Sequence, residues 1–192
     1  MSGFPQAASA AQPPLAYNDL LGWSFDPTSY AGGLPLSSAA TFYVSRIPLP
    51  SQILVTNILA YITAIGGTLT HSYLALFNSL GTILGQTADQ STGGTGWGTG
   101  GATGLHTVPL TTPVQCAPLT ANDFLYAGVY SGTDVSLPSL ESADNGLGQF
   151  ANAGTAANRL RAGRIAQADT ATLASIVVAS LSATAIYWFG LS

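Results

Sequence analysis

Short runs of β-branched, aromatic and aliphatic residues alternate with turn residues from Ala39 to Thr87. Pro48 and Pro50 interrupt the pattern first, then Gly66-Gly67, then Asn78 to Gly81. Runs of this length with this punctuation predict a β-meander with short connections. The expected strands are Thr41 to Ile47, Ile53 to Ile62, His71 to Phe77 and Thr82 to Thr87, the last two forming a hairpin. Ile53 to Ile62 carries Leu54, Ile58 and Ile62 on one face and Val55, Leu59 and Tyr61 on the other. Both faces are apolar, which predicts a central strand covered on both sides, with a buried partner needed for Asn57.

Further along, Leu105 to Val114 and Phe124 to Tyr130 read as strands, with Thr120 to Asp123 as the turn between them. Tyr73 and Phe77 share a spacing with Tyr126 and Tyr130. If those two strands are neighbours, the four rings form one patch, either core or a carbohydrate platform. Leu15 to Leu36 reads as an entry strand and loop that packs Trp23 against the sheets. Ser131 to Gly163 has no clear period, and Ala151 to Gly163 suggests a weak helical turn. Thr170 to Ser192 is uncharged and long enough to span a membrane. Its serines at 175, 180 and 182 suit two strands and a turn better, with Ala185 to Leu191 closing a sheet. The pattern as a whole predicts an all-β fold: a two-sheet antiparallel sandwich of jelly-roll type over residues 15–192.

Charge changes the picture most. Only 6% of residues are charged, there is no lysine, and the net charge is -4. A nucleic-acid groove needs several cations, so that class of partner is excluded. With 47% hydrophobic residues the chain is not expected to be disordered. A surface this poor in charge lacks the repulsion that keeps proteins apart. It suits packing against copies of itself or a larger body, although compositional drift toward Ala, Gly and Thr gives the same pattern. Arg159, Arg161 and Arg164 are expected to pair with local acids, with a phosphate or lipid-headgroup site as the less favoured reading.

Candidate chemistry is sparse. Cys116 is the one cysteine, which excludes an intrachain disulfide, and its apolar setting predicts an inert buried thiol. No paired carboxylates, G-x-S-x-G, H-E-x-x-H or Walker motif is present. His71 and His106 each open a strand rather than sit in a motif. The chain is therefore read as a non-enzyme without cofactor or metal. Two features stand out instead. Residues 1–14, rich in Ala, Pro and Ser, read as an extended attachment arm of up to about 50 Å at roughly 3.3 Å per residue. Phe4 is its apolar anchor, and Pro5, Pro13 and Pro14 stiffen it. No secretory signal is legible before Pro13. Asp89 to Gly104 is a glycine-rich loop carrying Trp97, either an exposed contact residue for a sugar or protein, or a lid folded back on the sandwich.

The segments LLGWSFDPTSYAGG, FYVSRIPLPSQILVTNILAYITAIGGTL, YLALFNSLGTILGQTADQS, GLHTVPLTTPVQ, LTANDFLYAGVYSG and AIYWFGLS follow one another in the chain. In that order they resemble the β-sandwich of minor tail proteins from phages of actinobacteria. The resemblance implies a virion structural protein displayed on the particle exterior; with the charge-poor surface, the chain is read as a homo-oligomer, a trimer. Its implied partners are copies of itself, phage tail or capsid proteins, and a host cell-surface glycan. It carries over no catalytic or ligand residues. A capsid decoration protein clamped on by the arm is the alternative within the class. A secreted carbohydrate-binding module is the alternative outside it.

Overall fold

The computed structural model describes residues 20–26, 32–92, 94–120, 123–132, 136–143 and 160–192. The attachment arm with Phe4, Pro5, Pro13 and Pro14 lies outside them, as do Arg159 and most of the expected helical turn. The described residues form twelve strands: β1 Gly22–Trp23, β2 Gly32–Pro35, β3 Thr41–Pro48, β4 Ile53–Ala64, β5 Ser72–Asn78, β6 Ile83–Gln86, β7 Gly104–Cys116, β8 Phe124–Ser131, β9 Ser139–Ser142, β10 Ala162–Ala166, β11 Ser182–Ala183 and β12 Phe189–Leu191. They make two antiparallel sheets packed face to face. The first runs β1-β12-β4-β9-β2, with β7 on the other edge of β4. The second runs β11-β10-β3-β8-β5-β6.

Within these sheets, β1-β12-β4-β7 faces β3-β8-β5-β6. From β3 to β8 the chain crosses between sheets at every connection except the β5–β6 hairpin, which is jelly-roll connectivity. An isolated bridge between Thr87 and Leu110 ties β6 to β7 and links the two sheets along that side. The register of β4 on β7 shifts between Val55 and Asn57. The N–H groups of Thr56 and Asn57 both donate to Ser192 O at 2.8 Å, and Asn57 Nδ2 donates to Thr56 Oγ1 and Ser192 Oγ. That is the partner the Asn57 side chain was expected to need.

Side-chain alternation separates two cores. Tyr43 and Ile47 of β3, Leu74 and Leu76 of β5, and Leu125 and Val129 of β8 point between the sheets, against Val55, Ile58, Ile62 and Phe189. Phe42 and Val44, Tyr73 and Phe77, and Tyr126 and Tyr130 point the opposite way, into a second core. The strand apolar on both faces and covered on both is therefore not β4. That role falls to β3, β5 and β8, whereas β4 leaves Leu54 and Tyr61 exposed. The two aromatic columns are indeed neighbours: Tyr73 pairs with Tyr130 and Phe77 with Tyr126. They are buried, so they form core and not a platform.

What covers them is the stretch from Gln167 to Leu181. It was expected to hold a strand, but it runs as an irregular strap with one 3-10 turn at Val178–Ser180. Leu173, Ile176, Val178 and Leu181 bury against the second sheet, each stabilising by about 1.5–3 kcal/mol. This accounts for the low polarity of the region without a membrane, and no helix among the described residues is long and apolar enough to cross one. The strap's backbone is satisfied by the sheet below it. Ile176 N donates to Gly81 O at 2.9 Å, Leu173 N to Gln86 Oε1 at 3.0 Å, and Gln167 N to Ala40 O at 2.9 Å.

Asp169 pins the start of the strap. Its carboxylate accepts from Thr70 Oγ1 and from Tyr130 OH at 3.2 Å, and it pairs with His71 Nδ1 at 2.8 Å. Burial raises the Tyr130 pKa, and the charge and hydrogen bond of Asp169 add to that. Asp169→Ala should lower stability by on the order of 2 kcal/mol, from the loss of several hydrogen bonds worth about 1 kcal/mol each. Urea unfolding measures this. Amide exchange should accelerate first at Leu173 and Ile176, ahead of β3 and β8; uniform protection across the molecule would mean that Asp169 does not pin the strap.

Candidate functional site

Trp97 is not an exposed contact residue: its side chain is 0% exposed, among the largest fully buried groups. The indole Nε1 donates to Ser72 Oγ at 2.8 Å, and Ser72 Oγ donates on to Tyr130 O at 2.7 Å. The His106 ring meets the indole edge-on, with centroids 5.6 Å apart. The physical reason is backbone packing. Trp97 N donates to Gln90 O at 3.1 Å, Gly66 N to Trp97 O at 2.8 Å and Thr99 N to Gly67 O at 2.8 Å. A Cβ on Gly96 would fall on Gln90 O, and one on Gly98 would fall on Ser91 O. The glycines here permit close approach and not looseness. Gly96 and Gly98 are themselves buried.

Both ring nitrogens of His106 lie 3.0 Å from carbonyl oxygens, those of Thr95 and Ala102. The imidazole therefore clips the two sides of the loop together, a structural task. His71 is likewise held by Asp169. Cys116 is buried, and burial pushes its thiol up to about 11. Among the described residues, no three His, Cys, Asp or Glu side chains converge as a metal site requires. Arg46 lies over the Phe124 ring at 3.7 Å and its Nε donates to Tyr126 OH at 3.4 Å, so it is a packing element of the second sheet.

The most extensive unpartnered feature is the outer face of the first sheet. Tyr61 of β4 stands opposite Leu105 of β7, at 39% and 54% exposure. Leu54 of β4 is exposed as well. Beside them Leu59 packs with Leu20 and Trp188, and Trp23 and Phe25 flank that cluster. Trp23 thus packs on the sheet as expected. Trp188 Nε1 is buried without a hydrogen-bond partner, an uncommon state for an indole. β4 and β7, of 12 and 13 residues, contain no charged side chain. Long edge strands usually carry charges that discourage pairing; β7 has Pro109 and Pro113 instead.

Arg164 departs from expectation. It was read as pairing with a local acid, yet its Nη1 donates to Ser37 Oγ at 2.6 Å. It lines an open cleft with Ser38, Thr41, Ile165, Ala166, Ser180 and Ser182. No carboxylate lines that cleft among the described residues. The sequence carried no sign of this grouping, because three separate segments supply it. Comparison with known proteins finds no family model and no curated protein that matches the chain.

Trp97→Ala should cost about 3–5 kcal/mol, the usual range for emptying a large buried aromatic site. Trp97→Phe should cost less, since a ring remains and only the bond to Ser72 is lost. Urea midpoints of the two variants measure both. The buried thiol gives a second expectation. Cys116 should resist a thiol reagent at pH 8 in the folded protein and react in urea. Its ordinary value is 9.0 and its folded value about 11, so the unfolded thiol ionises first. Stability should therefore fall as pH rises through that window, by up to about 1.4 kcal/mol per unit, and Cys116→Ala should lose that component.

Proposed function

We propose that this protein is a structural component of a phage virion, displayed on the particle exterior as a homo-oligomer, in the manner of a minor tail or fibre protein. The observation that carries the reading is the outer face of β4 and β7, two long strands without a charged side chain. Leu54, Tyr61 and Leu105 are exposed there, and the neighbouring Trp188 N–H lacks an acceptor. A second copy seated on that face would cover these exposed apolar groups. Neither copy would bring a charge from β4 or β7 that has to be desolvated. A trimer is the arrangement adopted in this proposal. The resemblance to minor tail proteins supports the placement on a virion.

Capsid decoration remains the second reading, favoured by the same face, since a capsid lattice would cover it equally well. Trp97 was the candidate contact residue for a host glycan or for a secreted carbohydrate-binding module. With that ring in the core, neither retains a candidate residue in the glycine loop.

Purified virions imaged by electron cryo-microscopy with an antibody fragment against this protein test the placement. Label at the tail supports the tail reading, label at symmetry positions over the head supports decoration, and bare particles reject both. The isolated protein should sediment as an oligomer. A Tyr61→Glu/Leu105→Glu variant should sediment as a folded monomer; retention of the oligomer would move the interface off this face. Removing residues 1–14 should leave a folded sandwich that no longer joins the particle.

A further inference from the structure

The cleft around Arg164 is built from residues far apart in the chain. Arg164, Ile165 and Ala166 come from β10, Thr41 opens β3, Ser182 belongs to β11, and Ser38 and Ser180 flank them. β10 pairs with β3 along its whole length, Ala162 to Ala166. It pairs with β11 only at Gly163 and Arg164. Beyond that point its second edge is open, and the cleft lies there. The volume is about 390 Å³, within the range of roughly 300–1,000 Å³ that small-molecule sites occupy.

Its chemistry is one-sided. Four hydroxyls, those of Ser38, Thr41, Ser180 and Ser182, stand with one guanidinium, and among the described residues no carboxylate lines the cleft. Arg164 uses Nη1 on Ser37 Oγ. A guanidinium has five N–H groups in a planar fork, which leaves donors for a ligand. The hydroxyls can donate or accept as a ligand requires. Ile165 and Ala166 add a small apolar surface.

The floor is rigid. Ala40 holds a left-handed conformation, φ 50°, which a non-glycine residue adopts only when its surroundings impose it. Those surroundings are its N–H on Ser131 O and its O accepting from Gln167 N, both at 2.9 Å. Ser38 N donates to Tyr43 OH at 2.7 Å, and Tyr43 itself is fully buried. The loop that presents Ser38 and Thr41 is thus fixed by the core before any ligand arrives, which lowers the entropy cost of binding.

We infer that this cleft binds a small polyol or sugar bearing one anionic group, with Arg164 on the anion and the serine and threonine hydroxyls on the ligand's hydroxyls. The anion can be a phosphate or a carboxylate; both accept a guanidinium fork. This site does not depend on where the protein sits in a particle, and the isolated full chain suffices to test it.

The test is a titration followed by amide NMR at low salt, with sn-glycerol 3-phosphate and D-glucuronate as probes and glycerol and glucose as neutral controls. Saturable shifts centred on Arg164, Ser180 and Ser182 are expected, with a dissociation constant on the order of 1 mM. The stronger of the two probes identifies the anion as phosphate or carboxylate. Arg164→Gln should weaken binding about tenfold or more. Ser182→Glu, at an exposed position, places a carboxylate in the cleft and should do the same without touching the fold. The proposal fails if neither probe shifts these amides at tens of millimolar. It fails also if the neutral controls bind equally well, or if folded Ser182→Glu protein binds like the parent.

Discussion

A sheet that is apolar on both faces cannot meet water on either, and the second sheet here is such a sheet. β3, β5 and β8 send Tyr43, Leu74 and Val129 one way and Phe42, Tyr73 and Tyr130 the other. The first set is covered by the opposite sheet, as in any sandwich. The second set requires a third layer, and the chain provides it by returning over the sheet between β10 and β11. Much of the molecule follows from that requirement. The strap has few strand partners of its own, so side chains and turns of the sheet beneath must satisfy its backbone. Gln86, Gly81 and Ala40 are spent on this task. Laying the strap down also brings Ser180 and Ser182 beside Arg164, which is how the cleft arises.

The two layers are joined through hydrogen bonds as well as packing. Trp97 donates to Ser72, Ser72 donates to Tyr130 O, and the Tyr130 hydroxyl donates to Asp169. The chain of contacts therefore runs from the glycine loop, through β5 and β8, to the strap on the far side. At the other end of the sandwich Asp123 plays a local version of the same part. Burial pushes its pKa up, but hydrogen bonds from Ser79, Leu119 and Phe124 outweigh that and hold the carboxyl below its ordinary value. The outer face of the first sheet has no covering layer among the described residues beyond the small cluster around Leu59 and Trp188. The asymmetry between the sheets is what leaves Leu54, Tyr61 and Leu105 exposed.

The strands that could be read from the sequence are those whose runs are long and bounded by turn residues. β3, β5, β6, β7 and β8 lie within a residue or two of their expected limits. β9 and β10 escaped because four or five residues containing Ser, Gly or Arg carry no visible period. The strap escaped for a different reason. Its conformation is imposed by the surface on which it lies, so no local repeat records it. In β4, apolar residues on both faces suggested cover on both sides, yet Leu54 and Tyr61 remain open; residue type alone does not distinguish a buried face from one prepared for a partner. Trp97 was readable only as a pair of alternatives, because glycine has the same letter whether it gives freedom or close contact. Arg164 was visible, but its surroundings came from three segments that only the fold assembles.

The glycine loop has a consequence for how this sequence can change. Gain or loss of one residue changes the length of a tract such as GGTGWGTGGATG. In a flexible spacer such a change would pass unnoticed. Here the spacing between Gln90 and Trp97 is set by a hydrogen bond across the loop, and the spacing from Trp97 to His106 by a ring contact. One added or deleted residue would draw the indole out of the core or push it past Ser72. A tract that looks like a spacer is thus locked in length as well as at its close-packed glycines.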